Sequence, residues 1–387
     1  MRKTADAVVI GGGVIGCSII YHLARLGITN TLLLEKDVLG SGSTGRSQAI
    51  CRMHYSNTIT STLAWQSLKT LTNFSEIVGG RSGFVKTGYL VIVDENNQHG
   101  LESNIFMQQS IGINCRLISP EECREIAPMV SINNNELIAW EPDSGYADSY
   151  QVTASFANAA KEMGAEITLR NPVQNIRNST NDLYSVVTEM GTIETPLVVV
   201  ATGPWSKSFL SQIGIDVPLT TVRHQVASIA RPTDLIPNHP SVGDTIHNFS
   251  FRPEGDGLTL VGFGEDDALL DNYNQGIDLP SVNQIMPDLI NRMPDMQDAY
   301  FRGGWSGLFT VTPDWHPILD KIPGHDGIYC AIGFSGHGFK LSPAVGQAMS
   351  ELIVHGQAAN IDLSILRFNR FEEGDLLESS YQYNVLA

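Results

Sequence analysis

The segment Gly11-Gly12-Gly13-Val14-Ile15-Gly16 constrains this chain more than any other, because of what flanks it. The apolar run Ala7-Val8-Val9-Ile10 leads straight into it, and a helical stretch from Cys17 to Leu26 leads out. A second apolar run, Thr31-Leu32-Leu33-Leu34, then ends on Glu35 and Lys36. Strand, glycine turn, helix and strand form a parallel βαβ unit, and each glycine has a task in it. Gly11 permits the tight turn, Gly13 lets the backbone approach a pyrophosphate, and Gly16 lets helix and strand pack closely. The start of the helix offers free N–H groups and a partial positive charge to phosphates. Glu35, nineteen residues after Gly16, is placed to accept hydrogen bonds from a ribose. An acid there, with no arginine beside it, argues against a 2′-phosphate. The motif predicts an adenine dinucleotide, and taken alone it fits NAD as well as FAD.

The bulk numbers narrow the classes. A chain of 387 residues exceeds what one hydrophobic core usually holds, which predicts two domains. A net charge of −17 argues against nucleic-acid or anionic-membrane binding. The five cysteines (17, 51, 115, 123 and 330) are scattered without CxxC or metal-ligand spacing. No apolar span of about 18 residues exists, and the first strand begins at once. These features give the expectation of a reduced, soluble, cytoplasmic protein with no membrane span, no leader and no metal site.

Along the chain, α/β patterning occupies 1–80, 150–205 and 327–356. Helices are predicted over 58–78, 98–112, 150–163 and 280–293, and one capped by Ser119 with Glu122 at the box position. Residues 133–149 read as irregular. Tyr184–Glu189 and Gly191–Thr195 suggest a hairpin, and Val198-Val199-Val200 a strand buried on both faces. Strands near 222–230 and 257–264 read as antiparallel. The expected architecture is α/β: a Rossmann-like dinucleotide-binding domain on a central parallel sheet, made of 1–82, 150–216 and 302–387. It is interleaved with an α+β substrate domain on a mostly antiparallel sheet, made of 83–149 and 217–301.

Two further glycine clusters carry chemistry. In Gly40–Ser47, the hydroxyls of Ser43, Thr44 and Ser47 suit phosphate oxygens, Arg46 adds a cation, and Gly45 allows the turn. Gly333-Phe334-Ser335-Gly336-His337-Gly338-Phe339-Lys340 follows a buried strand and opens a helix. Its N–H groups and positive helix end suit negative charge on a reduced cofactor ring.

Taken together these segments resemble the FAD-dependent amine and amino-acid oxidoreductases typified by D-amino-acid oxidase. The nearest branch holds sarcosine oxidase, sarcosine and dimethylglycine dehydrogenases, glycine oxidase and dye-linked proline dehydrogenase. Four blocks carry the resemblance over nearly the whole chain: Val9–Gly16 with Glu35; Gly40–Arg52; Val198–Ser206; and Thr312-Pro313-Asp314 with Gly333–Gly346. It implies that Gly11, Gly13, Val14, Ile15, Gly16, Glu35 and Lys36 hold the adenosine diphosphate half of FAD. Ser43, Thr44, Gly45, Arg46 and Ser47 wrap the diphosphate and ribityl chain. Val173 touches adenine through its backbone; Thr202, Gly203 and Trp205 lie beside the cofactor; Gly336, His337, Gly338 and Phe339 meet the flavin edge. Arg52 and Lys340 form a substrate-carboxylate clamp, which suits a bidentate arginine and a point-charge lysine.

Two departures from sarcosine oxidase stand out. Gly307 occupies the place of the flavin-linked cysteine, which implies non-covalent FAD. Thr259 occupies the place of an oxygen-activating lysine, which tilts the reading from oxidase toward dehydrogenase. The implied reaction is oxidation of a C–N bond in a small secondary or tertiary amino acid, of sarcosine, dimethylglycine or proline type. Hydride passes to flavin N5 and the imine hydrolyses, with O2 or a redox partner protein as acceptor. Oxidation of a primary amine, as by glycine or D-amino-acid oxidase, is the alternative, as is a flavin subunit of a homo- or hetero-oligomeric complex. No general base is assigned among His337, His224, His54 and His247.

Overall fold

The computed structural model describes residues 2–179, 182–268, 270–379 and 381. At its centre the glycine-motif strand Ala7–Ile10 pairs in parallel with Thr31–Leu34 on one side and Val198–Val200 on the other. Glu166–Thr168 and Ile328–Ile332 extend this ladder in parallel, and Ile318–Lys321 closes it antiparallel, giving six strands. Both faces are covered, which is why these strands are continuous apolar runs without alternation. Ala7, Val9, Leu33 and Val199 face a helical layer, while Val8, Ile10, Leu32 and Val200 face an antiparallel layer. The helices are Val14–Arg25, Ser149–Glu162 and Gly338–His355. The first and third pack so closely that a Cβ on Gly346 would lie 2.0 Å from the Ser18 hydroxyl. The antiparallel layer is Val173–Asn178, Tyr184–Thr188 and Gly191–Thr195, the last two forming the expected hairpin.

A second sheet has eight strands in the order Tyr300–Val311, Thr220–Ala230, Leu258–Asp267, Phe249–Glu254, Ser241–Asp244, Tyr89–Asp94, Glu136–Glu141 and Arg116–Ile118. Neighbours are antiparallel except Ser241–Asp244 with Tyr89–Asp94. Its own core gathers Leu90, Ile92, Ile138, Val242, Phe251 and Val261, roofed by the helix Leu279–Arg292.

Three sequence readings change. Residues 133–149, read as irregular, contain the strand Glu136–Glu141 and the short strand Gly145–Tyr146. The glutamates that bound the first look like surface residues, but both are buried. Glu136 is paired with Arg292 at 2.7 Å, and Glu141 accepts the Met53 N–H at 3.0 Å. The helix expected over 58–78 breaks at Asn73 into Thr58–Thr72 and Phe74–Ile77. The strand Tyr300–Val311 runs through the boundary expected at 302, so the segment that reaches the glycine loops belongs to the eight-stranded sheet.

Candidate functional site

A single elongated cavity of about 430 Å³ runs along the seam between the two sheets. Its first end lies at the carboxyl ends of the parallel strands. Gly11 has φ +114°, and a Cβ there would sit 2.3 Å from the Ala201 carbonyl oxygen. A Cβ on Gly16 would meet the Gly11 carbonyl oxygen at 2.0 Å, so Gly16 shapes the turn from behind without lining the cavity. The helix that follows has Gly13 as N-cap and no acid in its first turn. No side chain within the helix's own first turn offsets the positive end of its dipole. Glu35 accepts the Gly12 N–H at 2.6 Å through one carboxylate oxygen and the Asp37 N–H at 2.8 Å through the other. That fixes its orientation while lone pairs on both oxygens remain. Lys36 lies 3.2 Å over the Trp205 ring, and Val173, Thr202 and Gly203 complete this end.

The Gly40–Ser47 loop forms the middle of the wall. Gly45 donates to the Gly40 carbonyl at 2.8 Å, and a Cβ on Gly45 would meet that oxygen at 2.7 Å; the residue closes the loop and does not line the cavity. The Thr44 hydroxyl accepts the Val14 N–H at 3.1 Å, and Ser43 donates to the Leu308 carbonyl at 2.6 Å. The Ser47 hydroxyl accepts the Ala49 N–H at 2.9 Å. Arg46 donates to the Ser41 and Gly42 carbonyls and, at 2.8 Å, to Gln275. Much of its donor capacity thus fixes the loop itself. Gly307 lies against it, with its Cβ position 3.0 Å from Arg46 Cβ. The segment Asp271–Asp278 straps this wall from outside. Trp205 donates to Asp271 at 3.0 Å, and Arg223 donates to the Asn274 carbonyl at 2.9 Å and the Gly276 carbonyl at 3.0 Å.

The far end is built by the turn Gly333–Gly338. Gly333, Ser335 and Gly336 all have positive φ, and a Cβ on Gly336 would strike the Phe309 ring at 2.8 Å. The turn is held by Ser335 N–H to the Thr310 carbonyl at 2.9 Å and by Thr312 N–H to the Ser335 hydroxyl at 3.3 Å. The 18-residue helix that starts at Gly338 carries Lys340 in its first turn, with no acid there. Arg52 comes from the strand-and-turn segment Ile50–Tyr55. Its guanidinium stands 4.3 Å over the Tyr55 ring and donates to the His54 carbonyl. Lys340 Nζ lies 5.8 Å from the centre of the same ring. Both cations line the cavity, as do His337, Gly338 and Phe339. Burial holds the Lys340 amine well below its ordinary value, and the Arg52 charge adds to the effect. Burial, Lys340, Arg52 and His316 together keep the His337 imidazole neutral.

The sequence model of the FAD dependent oxidoreductase family DAO matches residues 6–352. The chain belongs to this family. Sarcosine dehydrogenase, a mitochondrial protein of Homo sapiens, is 28% identical over 372 residues, covering 92% of this chain and 40% of its own. This chain therefore spans less than half the length of that relative. Sarcosine oxidase subunit beta from Rhodobacter capsulatus is 25% identical over 388 residues and covers 98% of this chain and 91% of its own. Among solved structures, L-proline dehydrogenase from P. horikoshii superposes with a TM-score of 0.90 at 29% identity, covering 97% of this chain and all of that one.

FAD is the cofactor of this family, and the residues of this chain fit that group. An uncapped helix N-terminus behind Gly11–Gly13 suits the diphosphate, and a fixed carboxylate at Glu35 suits the ribose. A second glycine-rich helix start lies at the opposite end of the same cavity. Among the described residues no helix is long and apolar enough to cross a membrane, and no cluster of possible metal ligands occurs. Thr259 is fully buried, hydrogen-bonded to His239 at 2.9 Å, and faces away from the cavity. His54 also lies outside the cavity, 2.5 Å from the Tyr381 hydroxyl. His247 pairs with Asp244 at 2.9 Å. His224 does line the cavity, stacked on Phe309, with its pKa lowered to about 4 by burial. Sequence reasoning passed over Tyr89, Gln48 and Gly243 in the wall and Glu141 behind it. Gln48 lies within the Gly40–Arg52 block but was given no role, and the other three sit in no motif; Tyr89 and Glu141 are joined to the site by strand pairing.

Proposed function

We propose that this oxidoreductase oxidises the C–N bond of a small amino acid, with Arg52 and Lys340 as the clamp for its carboxylate. The observation that carries the reading is the placement of these two cations on one aromatic ring, Tyr55, at the opposite end of the cavity from Glu35. The buried Lys340 amine lies in the field of the Arg52 guanidinium and holds its proton more readily when an anion enters beside it, which suits a carboxylate. Bound FAD supplies the two-electron oxidant. The chain's part is to grip the carboxylate, exclude water and present the amine-bearing carbon in one orientation, and such positioning supplies much of a rate enhancement. His337, neutral and without a hydrogen-bond partner for Nε2 among the described residues, faces the same end as a polar wall.

The similarity to proteins named for sarcosine, dimethylglycine and L-proline supports a secondary or tertiary amine as substrate. A primary amine, as for glycine oxidase, is the alternative. We read the FAD as non-covalent, because Gly307 offers no nucleophile. The match to an oxidase subunit over nearly its whole length favours a second reading, in which this chain is the flavin-bearing subunit of a larger complex.

Anaerobic flavin bleaching with a panel of N-methylated, cyclic and primary amino acids tests the substrate class. Bleaching by primary amino acids alone overturns the secondary-amine reading. Lys340→Met is expected to retain FAD and weaken carboxylate binding by about 2 kcal/mol, roughly 30-fold. Unchanged reduction kinetics in that variant reject the clamp.

A further inference from the structure

Two neighbouring strands of the eight-stranded sheet end beneath Arg52. Tyr89 opens one, Glu141 closes the other, and the two are directly opposed in the antiparallel register. Glu141 lies outside the cavity: one carboxylate oxygen accepts the Met53 N–H at 3.0 Å and the Ser144 hydroxyl at 2.6 Å, and the other is buried without a hydrogen-bond partner among the described residues. Tyr89 does not. Its ring is almost wholly buried, yet it lines the cavity, and its hydroxyl makes no hydrogen bond to any described residue. The room for that hydroxyl comes from Gly243 on the adjoining parallel strand. A Cβ at 243 would lie 2.1 Å from the Tyr89 oxygen, and Gly243 also lines the cavity. A hydroxyl that opens on the cavity and has no hydrogen-bond partner among the described residues is left to donate to a ligand.

We propose that the Tyr89 hydroxyl is a third donor to the substrate carboxylate, completing the recognition begun by Arg52 and Lys340. The inference rests on the clamp reading above. The Arg52 charge acts on this phenol, so the hydroxyl shares the field of the clamp, with Glu141 acting in the opposite sense from behind. Burial pushes the phenol up to about 12, so it is a donor throughout the physiological range. A hydroxyl donor added to the two cations imposes an orientation that the cations alone do not. It also sets a size limit, since the ring closes the pocket wall where Gly243 has no side chain.

The test is titration of the oxidised holoenzyme with acetate, the minimal carboxylate, read from the flavin spectrum. Tyr89→Phe is expected to raise the acetate Kd and the amino-acid KM about five- to tenfold, with FAD content unchanged. Gly243→Ala, whose new methyl displaces the hydroxyl, is expected to reproduce the effect with Tyr89 intact. If Tyr89→Phe binds acetate like wild type while Lys340→Met does not, the inference fails and the clamp stands. If neither variant changes acetate binding, the clamp reading itself fails. Loss of FAD from Tyr89→Phe overturns the inference by assigning the hydroxyl to the cofactor.

Discussion

Lys340 is a cation in a place that opposes cations. Burial and the neighbouring Arg52 both lower its affinity for a proton, with only the distant pull of Cys51 acting the other way. A bound carboxylate supplies the missing countercharge and raises that affinity toward the ordinary lysine value. Binding therefore takes up a proton at any pH between the lowered value of the free site and the raised value of the complex. The sign is definite: carboxylate affinity falls as pH rises through that interval, because the binding-competent form is the protonated one. Calorimetric titration with acetate in buffers of different ionisation enthalpy measures the uptake, and its absence from neutral to alkaline pH would refute the argument. At this scale the sequence was most informative where function is written in contiguous motifs. Gly11–Gly16, Gly40–Ser47 and Gly333–Lys340 all reach the cavity walls because each encodes its own turn. Tyr89, Gly243 and Glu141 carried no local signal, since their role depends on strands brought together from distant parts of the chain.

At the scale of elements, the turn Gly333–Gly338 is as stable as what braces it. Asp314 receives two hydrogen bonds from Arg370, at 2.8 and 2.9 Å, and both side chains are fully buried. Asp314 also accepts from Thr312, whose N–H bonds Ser335 in the turn. The short C-terminal helix Arg370–Glu373 thus fixes the loop that presents Lys340. Burial alone would raise the Asp314 pKa, but the Arg370 hydrogen bonds and charge outweigh it and hold it below the usual range. The stability this contributes is complete above the ordinary carboxylate pKa and is lost as pH falls through the lowered value. Arg370→Met leaves a buried, unpaired carboxylate and is expected to cost about 3–5 kcal/mol. Urea denaturation at several pH values should show that loss near neutrality and a flatter acid limb; a loss near zero would reject the brace. Elements with internal periodicity were legible, and Glu136–Glu141 was not. Its glutamates meet Arg292 and the Met53 backbone, partners that only the tertiary structure supplies.

At the scale of the molecule, one end of the cavity is made by the parallel sheet and its loops, and the other by the eight-stranded sheet meeting the Gly338–His355 helix. The lysines that line it, among the described residues, are Lys36 and Lys340. Lys36 is engaged with Trp205 and Lys340 with the clamp, and Thr259 points away, so no further ammonium is placed to assist oxygen. Stopped-flow reoxidation of the reduced protein is therefore expected to be slow with O2 and fast with an artificial dye. Air reoxidation as fast as turnover would restore the oxidase reading. The two-sheet layout followed from the alternation of βα patterning with antiparallel inserts. The long strand Tyr300–Val311, which joins the sheets at the cavity, was hidden because its glycines and exposed aromatics mask any period. One last consequence comes from the strap Asp271–Asp278. It clasps the wall through a handful of partly solvated bonds, each worth about 1 kcal/mol, whereas the opposite end is sewn into sheet ladders and a buried ion pair. The two sides of the pocket are thus unequally fastened, and hydrogen exchange is expected to run faster in Asp271–Asp278 than in the turn Gly333–Gly338.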